Sequence, residues 1–517
     1  MHGVVVGAPE QSEIGDPVPA MTAQSAAEAS AIHTPSCSDS WVRGKRYRRV
    51  TLGRCWHHVG VRHFDLCIIG SGSGNSIIDD RFDHLSVALV EMGTFGGTCL
   101  NVGCIPSKMF VHPADLAAST LQAARLGVDL DLEGVRWQEV RDRIFGRIDP
   151  KAAKGRTYRE QSRNVTVFDG RARFVGPREL DVGAAQTITA DQVVIAAGSR
   201  PVIPDLAGLN SVDFHTSETV MRLAERPRSM IILGGGYVAA EFAHIFSAFG
   251  TAVTVLNRSE VLLRREDVDV AERFTELLGR RVDVRVKTSA TLVERAADGR
   301  VRVHIEGPDQ QPEQLDAEVL LVATGRTPNG DTLDLERGEI EADDDGLVIV
   351  DGYQRTSAAG VFALGDVSSR QQLKHVANKD ARVVQHNLLH PVSMISGDRR
   401  FVPRAVFSMP QVASVGLTEA EAAEQGIDYV VSREDYGNTA FGWAMEDTEH
   451  FVKIIARTDS KVLLGAHLIG PHASSLIQPL IQAMSFEQPA PDVARDQYWI
   501  HPAMTEVVEN ALLGLAD

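Results

Sequence analysis

Short apolar runs that end in glycine turns punctuate this chain. Phe64 to Ile69 (FDLCII) is apolar at every position but the second, the pattern of a strand covered on both faces. It runs into Gly70-Ser71-Gly72-Ser73-Gly74-Asn75 and a stretch expected to be helical, and a second strand, Ser86 to Val90, ends in Glu91. The same order recurs at Ser229 to Leu233 (SMIIL), Gly234-Gly235-Gly236-Tyr237-Val238-Ala239 and Ala252 to Leu256 (AVTVL), which ends in Asn257-Arg258. A third strand and turn is read at Gly360 to Asp366 (GVFALGD). The run from Pro106 to Ala118 is helix-compatible, with Pro113 expected to kink the helix or set its start. No apolar stretch reaches the ~18 residues that cross a bilayer.

A strand, a glycine turn, a helix and a second strand ending in an acid form a dinucleotide-binding unit. Gly70 allows the tight turn, Gly72 lets the backbone approach a pyrophosphate at a helix N-terminus, and Glu91 accepts from a ribose hydroxyl. Asn75 stands where the third glycine is expected, and Gly74 beside it is expected to take over part of that role. In the second unit Gly234 and Gly236 form the turn, and Ala239 permits close helix–strand packing. An acid at its strand end would repel a 2′-phosphate, whereas Arg258 and Arg264 attract one. The second nucleotide is therefore read as NADPH; the plain alternative is that both arginines are solvated surface charge. Two nucleotide sites in series imply electron relay. The first is read as FAD, with Asp366 on its ribityl chain, against the simpler reading of an Asx turn.

The length of 517 residues predicts three or four domains. A formal charge of −17 argues against non-specific nucleic-acid binding and suits a cytoplasmic enzyme. Residues 1–63 differ from the rest, rich in Ala, Ser, Pro and Thr before a basic stretch, and are expected to be a disordered extension. Arg48-Arg49 lacks the apolar segment of a twin-arginine export signal. A third reading of this extension is a start-site artefact.

Five cysteines, at 37, 55, 67, 99 and 104, make no secreted disulfide framework. The last two lie in Gly96-Gly97-Thr98-Cys99-Leu100-Asn101-Val102-Gly103-Cys104-Ile105-Pro106-Ser107-Lys108. Cys104 falls at a helix start, where partial positive charge lowers a thiol pKa. Cys99 is close enough to form a reducible disulfide with it. A zinc site would need further ligands at typical spacing, and none are present.

This motif resembles the signature of the class I pyridine-nucleotide disulfide oxidoreductases, and the resemblance extends over residues 64–517. It implies that Cys104 faces the flavin and Cys99 the substrate, and that Lys108 pairs with Glu241. It also implies cofactor contacts at Gly97, Thr98, Ala172, Gly198, Ser199, Gly325, Gly365 and His375, and that Tyr237 covers the flavin. Near the C-terminus, His501-Pro502-Ala503-Met504-Thr505-Glu506 matches the family's His-Pro-x-x-x-Glu motif. His501 is read as the acid–base and Glu506 as the carboxylate that orients it. The resemblance implies that His501 serves the other subunit's site in a homodimer.

Within the family, the segments Phe95 to Phe110, Leu373 to Leu388 and above all Gly442 to Asp447 (GWAMED) are similar to the mycothione reductase branch. The expected substrate is accordingly a small-molecule disulfide, mycothione, with dihydrolipoamide dehydrogenase or a glutathione reductase as the alternative. A non-enzymatic flavoprotein would not need both the cysteine pair and the His501–Glu506 pair. The expected fold is α/β: two Rossmann-like domains plus an α+β dimerisation domain. Its divisions are 64–205 (FAD, first part), 206–330 (NADPH), 331–400 (central) and 401–517 (interface).

Overall fold

A computed structural model describes residues 61–309 and 311–515, so the proposed extension, apart from its last three residues, lies outside the described residues. Of those three, Arg62 and His63 belong to the first strand, Arg62–Ile69, because both pair with the neighbouring strand at Ile188 and Thr189.

That strand sits at the centre of a seven-stranded sheet. Val87–Glu91 flanks it on one side and Thr187–Ile195 on the other, both parallel, and Val361–Ala363 joins Thr187–Ile195 in parallel. Leu66, Cys67 and Ile68 are fully buried, as a doubly covered parallel strand requires. Ile69 and Ala363 both stand in register with Ile195. The turns beginning at Gly70, Ala196 and Leu364 therefore open at one edge, where α/β sheets bind ligands.

The helix expected after the first glycine turn is absent. Gly74–Ile77 and Asp80–Phe82 are short 3-10 turns instead. Arg159, buried on the Trp137–Gln161 helix, explains why. Its guanidinium donates to Asn75 Oδ1 at 2.6 Å and to the carbonyls of Asn75 and Ile78, each at 2.9 Å. Those carbonyls are the acceptors a continuing helix would need. Asp79 then accepts the Arg81 N–H at 3.0 Å and starts a new turn. Gly74 does take the close-packing role: a Cβ there would lie 2.7 Å from Ala196 Cβ and 2.9 Å from Ile68 Cγ2.

The second unit forms as read. Ser229–Leu233 lies between Ala252–Leu256 and Val319–Val322 in a parallel four-stranded sheet, and Tyr237–Ala248 is a helix. The Cys104–Ala118 helix packs against it. This helix starts at Cys104 and continues through Pro113, so the proline does not set its start. Phe110 stacks on Trp137 at 5.2 Å, and Trp137 meets Phe246 at 5.5 Å, tying the two helices into one core.

An antiparallel five-stranded sheet from Arg404–Val406 to Phe451–Arg457 and Leu463–Ile469 makes the C-terminal region. It closes on the Glu506–Leu513 helix. No helix among the described residues is long and apolar enough to cross a membrane.

Candidate active site

A cavity of about 490 Å³ opens at the sheet edge. Its wall brings together Gly70, Gly72, Glu91, Gly97, Thr98, Cys99, Cys104, Lys108, Ala172, Gly198, Ser199, Tyr237, Glu241, Gly365 and Asp366, all singled out from the sequence.

The glycine turn and the cysteine turn are held against each other. Glu91 Oε2 accepts from the Ser71 N–H at 2.9 Å and the Ser71 hydroxyl at 2.6 Å. The same hydroxyl oxygen accepts the Gly96 N–H at 2.8 Å. Gly97, at φ +71°, lets the turns touch: a Cβ there would lie 2.7 Å from Gly72 Cα. Buried Asn101 fixes the turn by donating to the carbonyls of Phe95 and Gly97, each at 3.0 Å.

Cys99 and Cys104 are both free thiols, joined by a hydrogen bond. That bond lowers the Cys104 pKa to about 6, against the opposing effect of burial and with help from the Lys108 charge. The same bond, with burial, raises the Cys99 pKa. Within the reduced pair these effects favour the thiolate on Cys104 over Cys99. Lys108 Nζ lies 2.6 Å from both oxygens of Glu241, a buried carboxylate that also accepts the Phe407 N–H at 3.1 Å. The ion pair therefore sets a fixed positive charge near Cys104. Asp366 Oδ2 accepts the Ser199 hydroxyl at 2.7 Å, and Arg326 donates to that same oxygen of Ser199 at 2.9 Å. Tyr237 stands at the cavity wall, 44% exposed.

Other sequence-predicted residues lie elsewhere. Gly234, Gly236, Ala239 and Gly325 belong to the second nucleotide unit and do not line this cavity. Arg258 and Arg264 are exposed. Asn257, which replaces the expected acid, is buried and donates to the carbonyls of Ser259 and Val261 at 3.1 and 2.8 Å. It thereby shapes the loop that carries both arginines. The His375 ring is held 2.8 Å from the Pro403 carbonyl and does not line the cavity, whereas its neighbour Lys374 does. His501 Nδ1 lies 2.6 Å from Glu506 Oε1, and this bond keeps the Glu506 carboxyl below its usual range. The pair is outside the cavity of its own chain, with the His501 side chain 71% exposed.

Sequence reasoning missed Ser71, Asn101, Arg159, Arg326 and Lys374. Ser71, Arg159, Arg326 and Lys374 act through contacts distant in sequence, whereas Asn101 bonds within its own turn and lies inside the cysteine motif.

The paired thiols, the Lys108–Glu241 ion pair and two glycine-turn units define a disulfide oxidoreductase fed by a dinucleotide. Residues 64–381 match the pyridine nucleotide-disulphide oxidoreductase family and 402–512 match that family's dimerisation domain, and the chain belongs to this family. It is an oxidoreductase acting on a disulfide, with FAD and NADPH as cofactors. It is 52% identical over 462 residues to mycothione reductase of Mycobacterium tuberculosis, covering 87% of this chain and 99% of that one. Against dihydrolipoyl dehydrogenase of Mycobacterium bovis the identity is 31% over 466 residues, 88% of this chain and 98% of the relative. Among solved structures, the HOCl-induced flavoprotein disulfide reductase RclA from Escherichia coli superposes with a TM-score of 0.77 at 28% identity. That match covers 87% of this chain and 99% of RclA.

Proposed function

We propose that this chain reduces mycothione, the disulfide of mycothiol, to two molecules of mycothiol, as a cytoplasmic homodimer. The observation that carries the substrate is the 52% identity to a mycothione reductase over nearly all of that protein's length. With its net charge of −17, nucleic acid is not proposed as a partner.

When bound, NADPH and FAD would supply the two electrons that reduce the Cys99–Cys104 disulfide. The cavity wall fits such a group: the turn at Gly70 and Gly72, Asp366 and the Lys108–Glu241 pair would hold it. Tyr237 would cover the nicotinamide side. Cys99, whose thiol pKa is raised, needs a base. His501 of a second copy of the chain takes that proton. The Cys99 thiolate attacks one sulfur of mycothione, the S–S bond breaks, and the leaving thiolate takes the proton back from His501. The Cys104 thiolate then attacks the Cys99 sulfur, the mixed disulfide breaks, and the second mycothiol leaves as a thiolate that takes a proton from solvent. The Cys99–Cys104 bond is restored, and electrons balance at two per disulfide.

A homodimer fits this reading because the His501–Glu506 pair lies outside the cavity of its own chain, with His501 exposed. Tyr498 and Ile500, just before His501 in the chain, are exposed, and so is Trp443 in the Gly442 to Asp447 block. Exposed apolar side chains of this kind are suited to subunit contact.

A panel of mycothione, glutathione disulfide, lipoamide and trypanothione, each with NADPH and NADH, tests the substrate. Mycothione with NADPH is expected to give the highest kcat/KM; a higher value for any other disulfide overturns the reading. Arg258→Ala and Arg264→Ala should each lower kcat/KM for NADPH by about 10- to 100-fold, the worth of a charge-assisted hydrogen bond, and leave NADH unchanged. Unaltered discrimination between the two nucleotides would remove both arginines from the 2′-phosphate site.

A further inference from the structure

Two cations on the cavity wall, Arg171 and Lys374, make no ion pair among the described residues; Arg171 is exposed, and of the two only Lys374 bonds to the first glycine turn. Lys108, Arg200 and Arg326 on that wall each have a carboxylate partner: Glu241, Asp331 and Glu218. Lys374 has none among the described residues. Its Nζ reaches across to the Ser73 hydroxyl at 2.8 Å, and Ser73 belongs to the first glycine turn. Lys374 is also the first residue of the sixteen-residue helix Lys374–Leu389. A cation at the positive end of a helix dipole is poorly placed for stability, so another interaction must favour it.

The first glycine turn, for its part, lacks what such turns normally offer a pyrophosphate. The backbone after it forms 3-10 turns of four and three residues, too short and too poorly aligned to sum into a helix dipole. Arg159, the other nearby cation, is spent on the carbonyls and side chain of this segment. A doubly negative pyrophosphate laid on this turn would find backbone N–H groups but no helix N-terminus.

Resting on the FAD reading above, we infer that Lys374 is a cofactor-binding residue whose ammonium holds the FAD pyrophosphate, supplying from another helix the positive charge that the first unit has lost. The Ser73 hydroxyl positions Nζ over the turn. The expectation attached to His375 thus moves one residue back, to the side chain that faces the cavity.

The test uses the purified holoenzyme. FAD release on dilution is measured by ultrafiltration over a series of NaCl concentrations for wild type, Lys374→Met and Lys374→Arg. Lys374→Met should weaken FAD retention at low salt by about tenfold or more, as loss of a charge-assisted contact to a phosphate does. The gap should close as NaCl rises, because the interaction is between charges. Lys374→Arg should restore most of the retention, which also shows that the site is otherwise folded. The absorption maxima of the retained flavin should not move. Unchanged release from Lys374→Met, or a loss that salt does not alter, overturns the inference. So do shifted absorption maxima, which would place Lys374 against the flavin ring instead. Wild-type protein purified without any flavin would instead bring down the FAD reading itself.

Discussion

His501→Ala is expected to slow disulfide turnover by about 10²- to 10⁴-fold, the usual contribution of a positioned acid–base. Reduction of the oxidised protein by NADPH should proceed at the wild-type rate. The two half-reactions separate because the geometry separates them. His501 is tied to Glu506 through Nδ1 at 2.6 Å, which leaves Nε2 free on an exposed face and away from its own cavity. Nothing in the path from nucleotide to the cysteine pair requires it. Cys99, in contrast, has a raised thiol pKa and needs a base to take its proton. Stopped-flow measurement of each half-reaction decides the matter: equal slowing of both removes His501 from its assigned step. Co-expression with Cys99→Ser adds a second check. A mixed dimer pairs the intact Cys99 of one subunit with the intact His501 of the other. Recovery of activity is expected only if the site is shared; no recovery argues for a site within one chain.

The second large effect is on stability. Lys453 is buried, with its ammonium 2.9 Å from Asp267, 2.7 Å from Asp269 and 2.6 Å from Glu419. Asp267 is itself 1% exposed and caps the Val268–Gly279 helix, so this cluster fastens the second nucleotide unit to the C-terminal sheet. Lys453→Met should cost about 3–5 kcal/mol, because it strands a buried carboxylate. Denaturant unfolding of the holoenzyme measures this; a loss within experimental error would show that water or another cation replaces the lysine. Burial alone would raise the Asp267 pKa, but hydrogen bonds from Lys453 and the Glu419 N–H hold it lowered. Its contribution is therefore present above its unfolded value near 3.9 and lost as pH falls through the lower folded value. Burial would lower the Lys453 pKa, but its three carboxylates raise it. That contribution is present below an unfolded value of about 10.4 and lost as pH rises through the higher folded one. The difference between wild type and variant should thus stay flat from about pH 4 to 10 and shrink outside that window.

Much of the site was legible because its chemistry is local in sequence. Cys99, Cys104 and Lys108 lie on one turn and the helix that follows it, and His501 and Glu506 sit within one turn of a helix start. Gly70, Gly72 and Glu91 could be read from one strand–turn–strand unit because glycine and acid have few other reasons to recur at that spacing. The helix after Gly74 was misread for a physical reason. The segment's composition permits a helix, and only Arg159, 84 residues from Asn75, takes up the carbonyls that would have closed it. Asn257 shows the same limit. Its departure from the expected acid was visible, but its hold on the loop of Arg258 and Arg264 was not.

By itself the sequence determined the two strand–glycine units and placed the two thiols on one turn and the His501–Glu506 pair in one short motif. Those depend on residue type at short spacing, where the chain's own stiffness limits the alternatives. Only the tertiary structure decided which charges face the cavity. It placed Lys374 rather than His375 at the wall and set Lys453 among three carboxylates. It also left His501 exposed and outside the cavity that its own cysteines line. A charge is felt through space and through its burial, and neither is written in the order of the residues.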